Sequence, residues 1–500
     1  MSRDDTFGTI DQWTNTFTRK WSTPWLPIYR LYRSPEEDGE GERAQIATLN
    51  PGNTCLTSVK ISSVLKPGLR PTAWLDGLRG LASFEVFIFH QTFNWGFTGA
   101  EGLQYGYYAN KQTLEWWRLP YIRLFYGSGC FMVTIFFIIS GFVLTQGLFK
   151  HIRARNYDNL MKNVSSAAIR RILRIWLPVI VTTLITFILV KLGVGSSLNR
   201  TGIPVQSTWI GQVRFWVLDM QHSMNPFSYR DRLTEAMNHH SKTAWTLPLE
   251  VYGSFVCYLM IVIMARISRA SLRIMLIILA GAWAAWNSSW FLVLFFYGML
   301  LADYDLGKLE SKRPPIFTHV HNLLWVTVLA ISLWVAGWAE NFDPFIPNEM
   351  HAIWLLAASS CGTVTALYHL PTVRGLFESP AMQYLGKLSF GIYMVHFPVI
   401  DLLIEPYLRP FIAAWVGPSF SAQMLTFLCE VGIVLFLADL FERVIDTPSV
   451  RVAKTIETLL IGVATPDTSS TSAVLLPMTQ VPESLGIKED MSMEHFEYRA

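Results

Sequence analysis

Charge is scarce in this sequence. Of its 500 residues only 15% are Asp, Glu, Lys or Arg, whereas soluble domains carry about a quarter. That leaves too little polar surface to coat a water-soluble body of this size. No sign of charge dominates either, since 40 lysines and arginines against 37 acids leave +3. No basic tract with interleaved aromatics is present, so no nucleic-acid partner is expected. The five cysteines, Cys55, Cys130, Cys257, Cys361 and Cys429, stand singly. Such spacing supports neither a disulfide framework nor a metal site, and buried small hydrophobes fit them better. Residues 1–32 alternate charges and tryptophans and lack the apolar core and cleavage site of a signal peptide. Targeting is therefore expected from the first membrane span.

What is abundant is apolar. Hydrophobic residues make up 51% and aromatics 14%, and the mean hydropathy is +0.31. Apolar blocks lie near 75–97, 129–149, 172–192, 246–265, 273–286, 289–303, 321–339, 351–369, 388–405 and 424–442. Most approach the ~20 residues that cross a hydrocarbon core. The pattern predicts an all-α membrane protein, a bundle of about ten transmembrane helices embedded in a lipid bilayer. Residues 1–70 read as a polar tail, 71–455 as the multi-span domain and 456–500 as a disordered tail rich in Ser and Thr.

Loop charge orients the bundle. Lys150, Arg153, Arg155, Lys162, Arg170, Arg171 and Arg174 face one acid, Asp158, between the second and third blocks. The positive-inside rule makes that stretch cytoplasmic. Arg266, Arg269 and Arg273, and then Lys308, Lys312 and Arg313, mark two more cytoplasmic turns. An even number of crossings must separate them, so 273–303 reads as two spans, and both termini are expected in the cytoplasm. Of three glycosylation sequons, Asn163-Val-Ser falls on the cytoplasmic side and Asn287-Ser-Ser too near the membrane. Asn199-Arg-Thr is expected on the lumenal side, available for glycosylation in a eukaryotic host.

Ionisable groups within spans are costly and mark function by default. The first block holds Asp76, Arg79, Glu85 and His90. Arg79 and His90 are eleven residues apart, within about 20° of one helical face and ~16 Å apart along the axis. Asp76 lies one turn before Arg79 and can fix its guanidinium.

The stretch Leu75-Asp-Gly-Leu-Arg-Gly-Leu-Ala82, followed by His90, resembles the signature of the type-3 membrane acyltransferase family. Further likenesses follow in order. Phe136-Phe-Ile-Ile-Ser140-Gly-Phe-Val-Leu144 resembles its second-span motif, and Arg171-Ile-Leu-Arg174 its basic Arg-x-x-Arg loop. Trp245-Thr-Leu-Pro-Leu-Glu250 is similar to its Trp-Ser-Leu-x-x-Glu motif, closer to the fungal form. Leu385-Gly-Lys-Leu-Ser-Phe-Gly-Ile-Tyr-Met-Val-His396-Phe-Pro398 resembles its late Gly-Tyr-x-x-x-His-x-Pro segment. Ile445-Asp446-Thr-Pro448 stands where Ile-Glu-x-Pro is usual. The resemblance spans about residues 70–455 and implies transfer of an acyl group, usually acetyl from acetyl-CoA, to a hydroxyl. Acyl-CoA then enters as a co-substrate, with no tightly bound cofactor.

The residues suit that chemistry. His90 can take the acceptor's proton or carry the acyl group transiently. Arg79 can bind the anionic donor or stabilise charge on the carbonyl. Arg170, Arg171 and Arg174 are placed to meet coenzyme A phosphates. Glu250 can orient a histidine or bind the acceptor hydroxyl, and His396 is a second intramembrane histidine. Each has a plainer reading: an interfacial anchor for Arg79, an interhelical hydrogen bond for His396, close helix packing at Ser140-Gly141 and a helix-dipole partner at Glu250. The expected acceptor is a small lipophilic alcohol such as a secondary metabolite. A multi-span transporter or flippase with a charged pathway is the alternative.

Overall fold

A computed structural model describes residues 69–94, 108–109, 113–114, 116–194, 203–226, 238–311, 318–339 and 349–461. Asn199 and nearly all of the two expected tails lie outside these residues. Residues up to 457 belong to one compact unit, and those from 458 onward are assigned to another.

The described residues are overwhelmingly helical, as the apolar blocks predict. In chain order they form α1 Ala73–Asn94, α2 Pro120–Gly127, α3 Gly129–Arg153, α4 Tyr157–Lys191, α5 Trp209–Ser223, α6 Leu247–Met264 and α7 Ala270–Trp286. There follow α8 Trp290–Ser311, α9 Thr318–Ala339, α10 Glu349–His369, α11 Pro371–Phe377, α12 Pro380–Val399, α13 Arg409–Val416, α14 Phe420–Phe441 and α15 Thr447–Ile461. The only strand ladder among the described residues pairs Tyr108–Ala109 with Thr113–Leu114.

Among the described residues, seven helical stretches are long and apolar enough to cross a membrane, or eight if α10 and α11, bent by 103°, count as one span. Each of the ten apolar blocks overlaps a helix. However, α1 carries three formal charges, at Asp76, Arg79 and Glu85, and α7 has only 17 residues. Hydropathy marks where lipid is expected and does not mark where a helix ends. The third block is the apolar half of α4, which runs unbroken for 35 residues through the basic stretch before it. Asn156 caps its start, accepting from the Asn159 amide at 3.2 Å.

The ninth block also continues, through Pro398 and Pro406, as a wide π-helical stretch over Ile400–Leu408 before α13. Each proline removes a helical N–H donor and crowds the preceding turn, and widening the helix accommodates both.

The core is built around α3, of whose apolar window 83% is buried, against 17% for α9 and 28% for the α14–α15 stretch at the rim. Helices α3 and α8 touch backbone to backbone. A Cβ on Gly141 would lie 2.8 Å from the Phe295 carbonyl carbon, and one on Gly298 would lie 2.6 Å from the Phe142 nitrogen. Small residues permit this approach, and dispersion between the surfaces then holds the pair where lipid competes for every apolar contact. At one end, buried Asp303 of α8 accepts from Arg153 of α3 at 2.7 Å and from Arg273 of α7 at 3.0 Å. Arg273 also donates to the Ile267 and Ser268 carbonyls, each at 3.0 Å. A residue that sequence reads as a loop charge is thus part of a satisfied buried ion cluster.

Candidate active site

Helices α1 and α12 run parallel in a common register. Gly386 packs on Asp76 and Gly80 at one end. Ten residues further along each helix, the rings of His396 and His90 stack at 5.4 Å with 19° between planes. Gly80 and Gly386 set this spacing, since a Cβ on Gly80 would lie 2.5 Å from the Leu385 carbonyl carbon.

His90 and His396 are both buried. His396 Nδ1 lies 2.9 Å from the Ile392 carbonyl, which can only accept, so Nδ1 carries a proton and the neutral ring presents a bare lone pair at Nε2. The Nε2 atoms of both rings have no hydrogen-bond partner. Phe397 covers the pair, its ring edge-on to His90 at 5.3 Å and to His396 at 6.1 Å. Two adjacent imidazole nitrogens in an apolar enclosure, free to accept or pass a proton, suit acid–base chemistry.

Arg79 is at the other end of α1. It donates to Asp76 at 3.0 Å and to the Gly386 carbonyl at 3.3 Å, and Asp76 also receives Arg70 at 2.5 Å. The expected Asp76–Arg79 pair therefore forms, at the α1–α12 crossing.

Glu250, in the first turn of α6, faces neither histidine. Its Oε1 accepts from Ser140 of α3 and from Arg171 of α4. Arg171 Nε also donates to Ser254 at 3.0 Å, and Ser254 donates to the Glu250 backbone carbonyl at 2.6 Å. Oε2 of Glu250 makes no hydrogen bond. Three motif residues far apart in sequence, Ser140, Arg171 and Glu250, thus meet in one buried knot. The basic triad divides accordingly: Arg171 and Arg174 are buried, while Arg170 is the more exposed and pairs with Glu457 at 3.0 Å.

The order of helices, the paired histidines and the charged knot all fall on the quoted motifs, and a family model described as an acyltransferase domain matches residues 72–442. The chain belongs to this acyltransferase family. The acyltransferase is 26% identical over 429 residues to O-acetyltransferase PaAT-1 of Phomopsis amygdali, covering 77% of this chain and 84% of that protein. It is 24% identical over 461 residues to acyltransferase clz18 of Cochliobolus lunatus, covering 76% and 95%. A more distant similarity, 21% over 410 residues, covers 75% of this chain and 56% of a putative O-acetyltransferase, SACOL0978, of Staphylococcus aureus strain COL. No solved structure matches. These relatives are named as acyltransferases, not as transporters.

The acyltransferase also carries polar groups that sequence reading passed over. Asp219 of α5 accepts from the ring nitrogens of His239 at 2.8 Å and His240 at 2.7 Å, and from their backbone amides at 3.1 and 3.3 Å. His239 and His240 belong to no quoted motif, and Asp219 is 20 residues before His239. Their doublet was the available signal. Burial alone would raise the Asp219 carboxyl, but the histidine hydrogen bonds offset it and hold the group at about 2, below its ordinary 3.8. The hydrogen bond to Asp219 raises His239 above its ordinary 6.5, against partial burial.

The two groups lose their contributions at opposite ends of the pH scale. That of Asp219 is present above its unfolded value and lost as pH falls through about 4 toward about 2. That of His239 is complete below about 6.5 and lost as pH rises through its raised value. The stability advantage of wild type over His239→Gln is therefore expected to shrink as pH rises from about 6.5 through the raised His239 value, as read from thermal melts of the purified proteins. A constant difference would remove the titrating pair from the account.

Proposed function

We propose that this membrane acyltransferase transfers acetyl from acetyl-CoA to the hydroxyl of a small lipophilic alcohol, with His90 as the base. The observation that carries the reading is the buried His90–His396 stack, whose two Nε2 atoms lack partners. In the proposed step His90 takes the alcohol's proton as oxygen attacks the thioester carbon. The departing thiolate then recovers that proton. His396 supports the ring of His90 and offers a second nitrogen.

Arg79 and Asp76 mark the donor's approach along α1. Arg170 is the member of the basic triad placed to meet a coenzyme A phosphate, and Arg174 follows it on the next turn. Arg171 and Ser140 instead fix Glu250, so that α3, α4 and α6 hold the surrounding wall. Both termini lie in the cytoplasm in this reading, as the basic turns require. The name of the Phomopsis amygdali relative supports O-acetyl transfer.

Membranes containing the full chain, given labelled acetyl-CoA and a panel of terpenoid and polyketide alcohols, are expected to form a labelled ester with at least one of them. Label transfer confined to longer-chain acyl-CoA donors would replace acetyl. Ester formation absent with every donor and alcohol would overturn the reading.

A further inference from the structure

We infer that Gln91 holds the acceptor: its buried carboxamide donates a hydrogen bond to the alcohol oxygen whose proton passes to His90. The inference rests on the functional reading above.

Gln91 directly follows His90 on α1 and is fully buried. Neither Nε2 nor Oε1 of its amide has a hydrogen-bond partner among the described residues. Other glutamines in this fold behave differently. Gln383 donates to the Ala73 and Phe377 carbonyls, each at 2.8 Å. Gln212 donates to the Pro204 carbonyl at 3.1 Å and accepts from the Gln206 amide at 2.6 Å. Gln146 donates to Asp305 at 2.8 Å. Hydroxyls on α1 itself are satisfied too, Ser83 by the Gly80 carbonyl at 3.1 Å and Thr92 by the Tyr126 carbonyl at 2.9 Å. A buried amide that bonds to nothing costs stability. Methionine or leucine would fill the same space without that cost, so packing alone does not account for a glutamine here.

Helix packing sets Gln91 beside the histidine pair. A side chain from one helix seats among residues i, i+3 and i+4 of the helix it faces. The His396 ring seats in this way on α1, 6.2 Å from Phe87 and 5.4 Å from His90. The i+4 corner of that hole is Gln91. It shares a face with Phe87, one turn earlier, whose ring stacks on Phe427 of α14 at 6.0 Å. The Gln91 amide and His396 Nε2 are a donor and an acceptor at one hole, yet neither bonds the other. Both stay available to a third group.

Chemistry selects the acceptor as that group. A site for a small lipophilic molecule is mostly apolar, with a few convergent polar groups that fix orientation. Rings of Phe87, Phe427 and Phe397 supply the first here, and Gln91 with the two histidines the second. The donor's anionic part is assigned to Arg79, ~18 Å before Gln91 along α1 by helical rise. Gln91 therefore stands past His90, on the side left to the alcohol. The alcohol oxygen has two lone pairs while its proton is held by His90. One attacks the thioester carbon, and the other accepts from Gln91 Nε2, which aims the first. Gln91 itself gains and loses no proton.

The test compares Gln91→Met, Gln91→Asn and His90→Gln in the full-length protein, with labelled acetyl-CoA and the alcohol that accepts label in the assay above. Gln91→Met keeps the length of the side chain and removes its amide. It is expected to raise KM for the alcohol about ten- to hundredfold, with KM for acetyl-CoA unchanged and the melting temperature at or above wild type. A lowered melting temperature with both KM values at wild type would assign Gln91 to packing and overturn the role. A raised KM for acetyl-CoA alone would place Gln91 on the donor and overturn it as well. Wild-type alcohol KM in Gln91→Met, beside a collapsed kcat in His90→Gln, overturns Gln91 and leaves His90 standing. Wild-type kcat in His90→Gln would instead overturn the site reading beneath it. If Gln91→Met fails to fold, Gln91→Asn decides, because it keeps the amide and withdraws it by one methylene. A raised alcohol KM in that folded variant supports the role, and a wild-type value removes it.

Discussion

Exchanging His90 for glutamine is expected to lower kcat for ester formation by about 100- to 10,000-fold, the range a positioned general base supplies. Glutamine fills much of the imidazole's volume and can hydrogen-bond, but it cannot hold a proton through the reaction. Because the His90 Nε2 makes no hydrogen bond in the resting protein, the substitution leaves no former partner stranded, and folded yield should stay near wild type. His396→Gln is the paired control. That ring already commits Nδ1 to the Ile392 carbonyl, so its loss should cost less, about tenfold, through poorer support of the His90 ring. Single-turnover measurements with saturating acetyl-CoA would separate the two. The reverse ranking would move the base to His396, and equal small losses would place the chemistry elsewhere.

A leucine at Gly386 is expected to abolish folded protein. A Cβ there would lie 2.8 Å from the Asp76 carbonyl carbon, and that neighbour is backbone, which cannot turn aside. Overpacking against side chains costs ~1–3 kcal/mol, and here the two helices must part instead. Parting them also breaks the Arg79 bond to the Gly386 carbonyl and the 2.8 Å bond from Gln383 to the Ala73 carbonyl. Gly386→Ala should survive with a lower melting temperature and a displaced histidine pair, hence reduced kcat. Gly375 offers a control, since a Cβ there meets nothing within 4 Å. Detergent-solubilised protein, followed by size-exclusion profile and thermal melt, gives the readout. A wild-type melt for Gly386→Leu would show that α1 and α12 do not depend on this contact.

Much of this architecture is legible in sequence because its signals are local. Apolar blocks mark helices where side chains face lipid or core, and Asp76 and Arg79 pair because one helical turn separates them. His90 and Arg79 are visible as costly groups in an apolar stretch. The rest depends on which helices become neighbours. Nothing local to Glu250 says that Arg171 and Ser140 will reach it from two other helices. Arg171 and Arg174 read as surface charges because a basic run before a span looks interfacial, yet their shared helical face turns inward. Asp303 and Asp219 escaped notice for the same reason: their partners are fixed by tertiary packing. The block 388–405 runs through Pro398, but nothing in its apolar pattern says that the helix widens and continues past Pro406.

Under the proposed function, the shared register of α1 and α12 makes the site a gauge of length. With the two helices locked at their glycine crossing, the separation between the Asp76–Arg79 cluster and the histidine pair is fixed at ~16 Å. A donor held by its anionic part at the first and reacting at the second is measured by its carrier arm. The acyl group extends past the carbonyl and consumes none of that distance. In the proposed reading its size is then set beyond His90, on the side where the Phe397 ring stands edge-on at 5.3 Å.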